Sequence, residues 1–210
     1  ATDMLHIGYM YNHSLGYNIL MPDLRHAGQS GGEAIQMGWL DRLDVMQWIG
    51  AAPALFGDSL RMAVHGISMG GATTMMVSGE DLPGYVRCFV DDCGYTSVWD
   101  EFSKELKTQF GLPPFPLLHT ASWLCGMKYG WNFREASALK QVAKCTKPML
   151  FIHGADDDYV PTWMVYPLYE AKPQPKELWI VPDTEHAEAY RNRPEEYTRR
   201  VKEFVGKYIR

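Results

Sequence analysis

The chain has no stretch approaching the roughly 20 uninterrupted apolar residues of a membrane-spanning helix, so no span is expected within its 210 residues. Basic charge is also scarce. Twenty Lys and Arg stand against 25 Asp and Glu, a net charge of −5, and no basic run is long enough to track a phosphate backbone. Nucleic acid is therefore not an expected partner. Cys88, Cys93, Cys125 and Cys145 are irregularly spaced, with neither a Cys-x-x-Cys pair nor a zinc-ligand framework. They read as free thiols of a reducing, cytoplasmic compartment, and no metal or cofactor is expected. Repeats and Pro/Gly-dominated tracts are missing too, which excludes coiled coil and disorder as whole-chain descriptions.

What is present is the make-up of one globular domain, residues 1–210, with 46% hydrophobic residues to fill a core. Short apolar runs recur, each closed by a polar or glycine-rich cluster: Gly16–Met21 before Pro22-Asp23, Arg61–His65 before Gly66, Val86–Val90 before Asp91-Asp92, Pro148–Ile152 before His153-Gly154, and Glu177–Val181 before Pro182-Asp183. Each reads as a buried strand. Between them lie segments with helical period: Trp39 to Ile49, Ala72 to Val77, and a last helix with Tyr197, Val201, Phe204, Val205 and Tyr208 on one stripe. Strands alternating with helices predict an α/β fold, a mostly parallel sheet with helices on both faces. Ligands then gather beyond the C-terminal strand ends, where the polar clusters fall.

Residues 94–146 break this rhythm. Helical spacing of Trp99, Phe102, Leu106 and Phe110, then a break at Gly111-Leu112-Pro113-Pro114, then further aromatics, predict a small helical cap inserted between two strands. Trp99, Phe102, Phe110, Phe115 and Trp123 are candidates for an apolar substrate wall, or for rings that bury the cap against the sheet.

Gly66-x-Ser68-x-Gly70 follows a strand and opens a helix. A sharp turn there projects the serine hydroxyl, small residues permit strand and helix to touch, and the helix start aims free N–H groups at developing negative charge. Ser68 is the candidate nucleophile, with the Met69 amide as an oxyanion donor. A serine hydroxyl needs a base, and the base needs an acid to hold its tautomer. His186, in the loop after the last strand, is the candidate base. Asp156, Asp157 and Asp158 follow the preceding strand, and position alone leaves the choice among them open. Asp91-Asp92 reads equally as a support for the loops above the sheet or as a solvated turn.

These elements, Ser68 in its elbow, His153-Gly154-x-x-Asp157-x-x-Val160-Pro161 and the late His186, resemble the α/β-hydrolase superfamily. The likeness is nearest to bacterial serine esterases and to lysophospholipase-like or prolyl-oligopeptidase-like hydrolases. The resemblance selects Asp157 as the acid and implies a Ser-His-Asp triad that cleaves carboxylic esters through an acyl-enzyme. An amidase, peptidase or thioesterase with the same triad, or a silent scaffold, is the alternative. The expected partner is a small acyl substrate. Relatives of this kind begin with additional strands and a His-Gly turn that supplies the second oxyanion donor. The chain is therefore expected to be a fragment, with Thr2 to Leu15 as the helix after that turn. A homo-oligomer is compatible with the exposed edge of such a sheet.

Overall fold

The computed structural model describes residues 4–209. Four strands form one parallel sheet in the order β1 (Met62–Ile67), β2 (Val86–Asp92), β3 (Met149–Gly154), β4 (Lys176–Val181). Each is an apolar run foreseen above; β1, β2 and β3 extend two residues into their polar clusters, and β4 begins one residue earlier and stops before its own. Helices α1 (Leu5–Tyr9), α2 (Asp41–Phe56), α3 (Met69–Ser78), α4 (Val98–Phe110), α5 (Leu117–Tyr129), α6 (Ala138–Val142), α7 (Val165–Ala171), α8 (Ala189–Asn192) and α9 (Pro194–Gly206) surround it.

Side chains alternate along β2 and β3, so the sheet feeds two cores. Phe89, Met149 and Phe151 face one side and meet Met75 and Met76 of α3, Val98 of α4, and Val165 and Leu168 of α7. Cys88, Val90, Leu150 and Ile152 face the other, against Ile7 of α1 and Tyr197, Val201 and Phe204 of α9. Every residue of β3 is buried, and a fully buried Phe or Met contributes roughly 2–3 kcal/mol. The stripe predicted for the last helix is the one that packs, including Tyr208, which lies just beyond the helix and is half-buried against the same core.

Helix α2 runs past the periodic stretch, through Gly50 and Pro53, to Phe56. Pro53 cannot donate to the carbonyl four residues back. That carbonyl, Ile49 O, accepts instead from the Tyr85 hydroxyl at 3.0 Å, so the helix continues without an orphaned acceptor.

The strand expected at Gly16–Met21 is not formed: residues 16–24 are irregular. A strand exists only by pairing, and these residues make no ladder with β1, the nearest strand edge. They stand across a cavity of about 730 Å³ from it, with Tyr17, Ile19 and Met21 on one wall and Met62, Val64 and Ile67 on the other. The helix expected over Thr2–Leu15 is present in its described part, as α1 and a following π-helical turn Met10–Ser14; residues 1–3 lie outside the described residues.

Candidate active site

β1 ends in the predicted elbow. Ser68 adopts φ 56°, ψ −120°, a left-handed backbone that a serine holds only where its surroundings over-determine it. Its N–H donates to Asp92 O at 2.8 Å and its carbonyl accepts from Ala72 N at 2.9 Å, fixing it between the end of β2 and the first turn of α3. A Cβ on Gly66 would lie 2.0 Å from Gly70 O, so the first glycine of the motif is required by contact rather than by dihedral. Met69 begins α3, where helical geometry leaves its amide without an intrahelical acceptor.

His186 arrives on the loop after β4. A Cβ on Gly154 would meet Thr184 O at 2.3 Å, so the absence of a side chain there lets the loop lie directly on the end of β3. Asp156 N donates to Thr184 O at 3.0 Å, and the left-handed Asp183 and Ala187 bend the chain on either side of the histidine. The result is a linear array: Ser68 Oγ lies 2.8 Å from His186 Nε2, and His186 Nδ1 lies 2.8 Å from Asp157 Oδ2.

Of the three consecutive aspartates, Asp156 and Asp158 are exposed and Asp157 is buried. Its Oδ1 accepts from the backbone N–H groups of Tyr159 at 3.1 Å and Val160 at 2.9 Å. Burial pushes its carboxyl up, but hydrogen bonds from His153 and His186 outweigh this and hold it below the usual carboxylate range. His153, quoted above only as part of the strand-end motif, lies beside this aspartate. Its Nε2 donates to Val160 O at 2.8 Å and lies 3.4 Å from Asp157 Oδ2. The sequence signal for this contact is its place four residues before the aspartate. Tyr159, unforeseen, sets its ring 4.9 Å from the His186 ring, and Lys104 of α4 ties the segment between β2 and β3 to it by donating to Tyr159 O at 2.8 Å.

Asp91 and Asp92 are buried, not a solvated turn. Asp92 Oδ2 accepts from the Tyr197 hydroxyl at 2.8 Å. Having spent its proton there, Tyr197 must accept from His65 Nε2 at 3.1 Å. Burial pushes the His65 pKa down to about 3, so the ring is neutral, and its Nδ1 then accepts from the Tyr11 hydroxyl at 2.9 Å. This chain of bonds ties α9 and the Met10–Ser14 turn to the strand end beneath Ser68.

Asp91 is fully buried, and burial, then the neighbouring Asp92, pushes its carboxyl up to about 8 despite the nearby Gly94 N–H. The folded protein therefore keeps a proton that the unfolded chain releases near pH 4. In that window the native state binds more protons, so this group's contribution to stability is full below about pH 4 and is lost as pH rises towards 8, by at most about 1.4 kcal/mol per pH unit. Asp91→Asn keeps the shape and removes the titration. Urea midpoints taken from about pH 5 to pH 8 are expected to fall less steeply in the variant than in the parent; equal slopes would assign the loss to other groups.

The aromatic residues expected to wall a substrate pocket lie elsewhere. Phe110, Phe115 and Trp123 are 67%, 71% and 62% exposed. Trp99 is sandwiched by Arg134 and His119, and Phe102 packs edge-on against Phe133. The cavity that reaches Ser68 is the one between residues 16–24 and β1, with Met69 and Ile67 at its inner end. Two of the rings pack within the inserted segment, and the other three lie outside: the segment is anchored in the main core by residues such as Val98, Trp131 and Val142, while α5 and the turn before it bury only Leu118 and Ser122.

A parallel sheet clothed on both faces, with a strained serine between its first strand and helix and a histidine and aspartate supplied by later strand ends, defines the α/β-hydrolase class. Within it the chain belongs to the prolyl oligopeptidase family, whose model matches residues 10–210. It is 32% identical over 191 residues to YqkD of Bacillus subtilis, covering 91% of this chain and 63% of that protein. The chain thus spans less than two thirds of that relative's length. Among solved structures it resembles an esterase of Pyrococcus furiosus, with a TM-score of 0.77 and 25% identity over 99% of this chain and 77% of the other. It shares the fold of an acylaminoacyl peptidase of Pyrococcus horikoshii, with a TM-score of 0.60 at 18% identity, over 79% of this chain and 27% of that one. Among the described residues no helix is long and apolar enough to cross a membrane.

Proposed function

We propose that the protein is a serine hydrolase that cleaves carboxylic esters of small acyl substrates through a covalent acyl-enzyme. One observation carries this: the Ser68 hydroxyl, the His186 imidazole and the Asp157 carboxylate stand in one hydrogen-bonded line, 2.8 Å at each junction. His186 Nε2 takes the proton of Ser68 as Oγ attacks the carbonyl carbon. The oxyanion that forms receives the Met69 N–H, a kind of donor worth about 3 kcal/mol in the transition state. His186 then protonates the leaving alcohol, and water repeats the sequence on the acyl-serine. Asp157 holds the Nδ1–H tautomer and stabilises the imidazolium. No cofactor enters.

Ester substrates are favoured by the apolar lining of the cavity beside Ser68, with Ile19, Met21, Ile67 and Met69 on its walls, and by the likeness to the P. furiosus esterase. A peptidase is the second reading, favoured by the name of the family. Acetyl, butyryl and octanoyl p-nitrophenyl esters assayed beside acylaminoacyl and prolyl p-nitroanilides separate them. A higher kcat/KM on the esters supports the proposal; preference for an anilide replaces it with the peptidase; no turnover on either, with Ser68 unreactive towards a fluorophosphonate, refutes both.

A further inference from the structure

Cys93 is the buried cysteine that packing does not explain. Cys88 and Cys145 sit within the two apolar cores, each among hydrophobic neighbours, whereas Cys93 belongs to neither. It follows the last residue of β2, is 1% exposed, and holds a left-handed φ of 49°, a conformation that costs a non-glycine residue about 1–3 kcal/mol. Its sulfur lies against the Ser68 backbone and in the field of the Asp91, Asp92 and Asp157 carboxyls. A small apolar filler has no use for such company.

The sulfur also shares space with the hydrolytic groups. Cys93 Sγ, a carboxylate oxygen of Asp157 and an imidazole nitrogen of His186 all lie within 4.8 Å of one another. We propose that these three side chains form a binding site for a soft divalent cation of the zinc or cadmium type, and that filling it locks the hydrolytic site. Thiolate, imidazole and carboxylate are the donors such ions take, at about 2.3, 2.0 and 2.1 Å, so that donors on one tetrahedron stand roughly 3.5 Å apart. The cluster spans no more than 4.8 Å, with His186 and Asp157 already 2.8 Å apart, so reaching that spacing takes shifts of about an ångström at most, and one member is free to move. The Asp157 side chain is fully buried, while that of His186 is 19% exposed at the end of its loop, so the imidazole supplies both the adjustment and the way in. Cys93 and Asp157 form the fixed floor.

Charge favours the same ligand. The Asp157 carboxylate opposes a bare thiolate beside it, and a divalent cation held between the two reverses that balance by compensating both. Binding breaks the Cys93 S–H bond, whose proton leaves to solvent, and forms metal–sulfur, metal–oxygen and metal–nitrogen bonds with no change of oxidation state. The imidazole nitrogen used is either Nδ1, whose proton moves to Nε2, or Nε2, whose hydrogen bond from Ser68 is lost. In both cases the base that should accept the Ser68 proton is consumed. The cation is an inhibitor here and takes no part in the reaction. Only this locking half rests on the hydrolase reading; the binding half does not.

Cadmium titrated into the 210-residue chain, followed by the ultraviolet thiolate-to-metal charge-transfer band, tests the site. The expected result is a band that saturates at one ion per chain in the parent and in Cys125→Ala, the variant lacking the partly exposed thiol. It should be absent from Cys93→Ala and from the near-isosteric Cys93→Ser, each checked by circular dichroism for retained fold. A band that survives in a folded Cys93 variant, or no band in the parent, overturns the site. Zinc inhibition of p-nitrophenyl butyrate hydrolysis, reversed by EDTA, tests the lock. Cys93→Ser should keep its metal-free turnover and need at least about tenfold more zinc for half-inhibition. Cadmium binding with unaltered turnover overturns the lock. A metal-free protein with no turnover on any ester overturns the hydrolase reading, and the lock with it, while the band still decides the site.

Discussion

Ser68→Ala is expected to lower ester kcat by about 10⁴-fold or more, with little change in KM. The attacking atom is Oγ, and alanine offers nothing in its place. What survives is whatever the Met69 amide and the cavity contribute to direct attack by water, a residual that in other triad enzymes stands far below the intact one. The variant should fold as well as the parent. The left-handed turn at Ser68 is set by Ser68 N–H to Asp92 O and Ala72 N to Ser68 O, both backbone bonds that alanine keeps. The hydroxyl touches only His186 among the described hydrogen bonds, so its loss strands no deeply buried group. Thermal midpoints equal to or slightly above the parent's are expected, since active-site polar groups are seldom optimal for stability. The companion measurement is intact mass after treatment with a fluorophosphonate: one adduct on the parent and none on the variant. A variant that retains parental turnover would remove Ser68 from the chemistry, whatever its geometry.

The strands were legible because each is a short apolar run bounded by a polar or glycine-containing cluster, and the elbow because its glycines answer a contact visible in the motif itself. Gly16–Met21 misled for a physical reason. An apolar run reports burial of its side chains, which these residues retain in part by lining a cavity, but it carries no record of whether a neighbouring strand is there to pair with. The end of α2 misled in the opposite sense. Gly50 and Pro53 look like breakers, and the Tyr85 hydroxyl that repairs the helix lies more than thirty residues away in sequence. The meeting of Ser68 and His186 was legible because each follows a strand end, and such ends gather on one side of a parallel sheet. The choice of Asp157 over its neighbours needed a resemblance, since it depends on which of three adjacent carboxyls turns inwards to the Tyr159 and Val160 amides. The closeness of Cys93 to Asp157 and His186 was illegible because those residues come from other strand ends, whereas His153 meets Asp157 and Val160 within its own loop.

Asp157→Asn is expected to lower kcat by about 10⁴-fold while leaving the shape of the site intact, a magnitude taken from the serine-protease precedent for replacing the triad acid by its amide. The direction follows from this structure. Two backbone N–H groups, those of Tyr159 and Val160, point at Oδ1, so that position must remain an acceptor, and the asparagine is forced to place its carbonyl oxygen there. Its NH₂ group then occupies the place of Oδ2, facing His186 Nδ1 at 2.8 Å and His153 Nε2 at 3.4 Å. An amide nitrogen is only a donor. His186 must answer with an unprotonated Nδ1, which moves its proton to Nε2, and a protonated Nε2 cannot take the hydrogen of Ser68. His153 meets the same difficulty, because its Nε2–H already donates to Val160 O and now faces a second donor. That clash should remove about 1–3 kcal/mol of stability, a loss Ser68→Ala does not show. Nitrogen-15 NMR of the imidazoles distinguishes the two tautomers directly, and urea unfolding reads the stability. An asparagine variant within tenfold of the parent in kcat, or one whose His186 keeps its proton on Nδ1, would show that the carboxylate neither orients the base nor supports its charge.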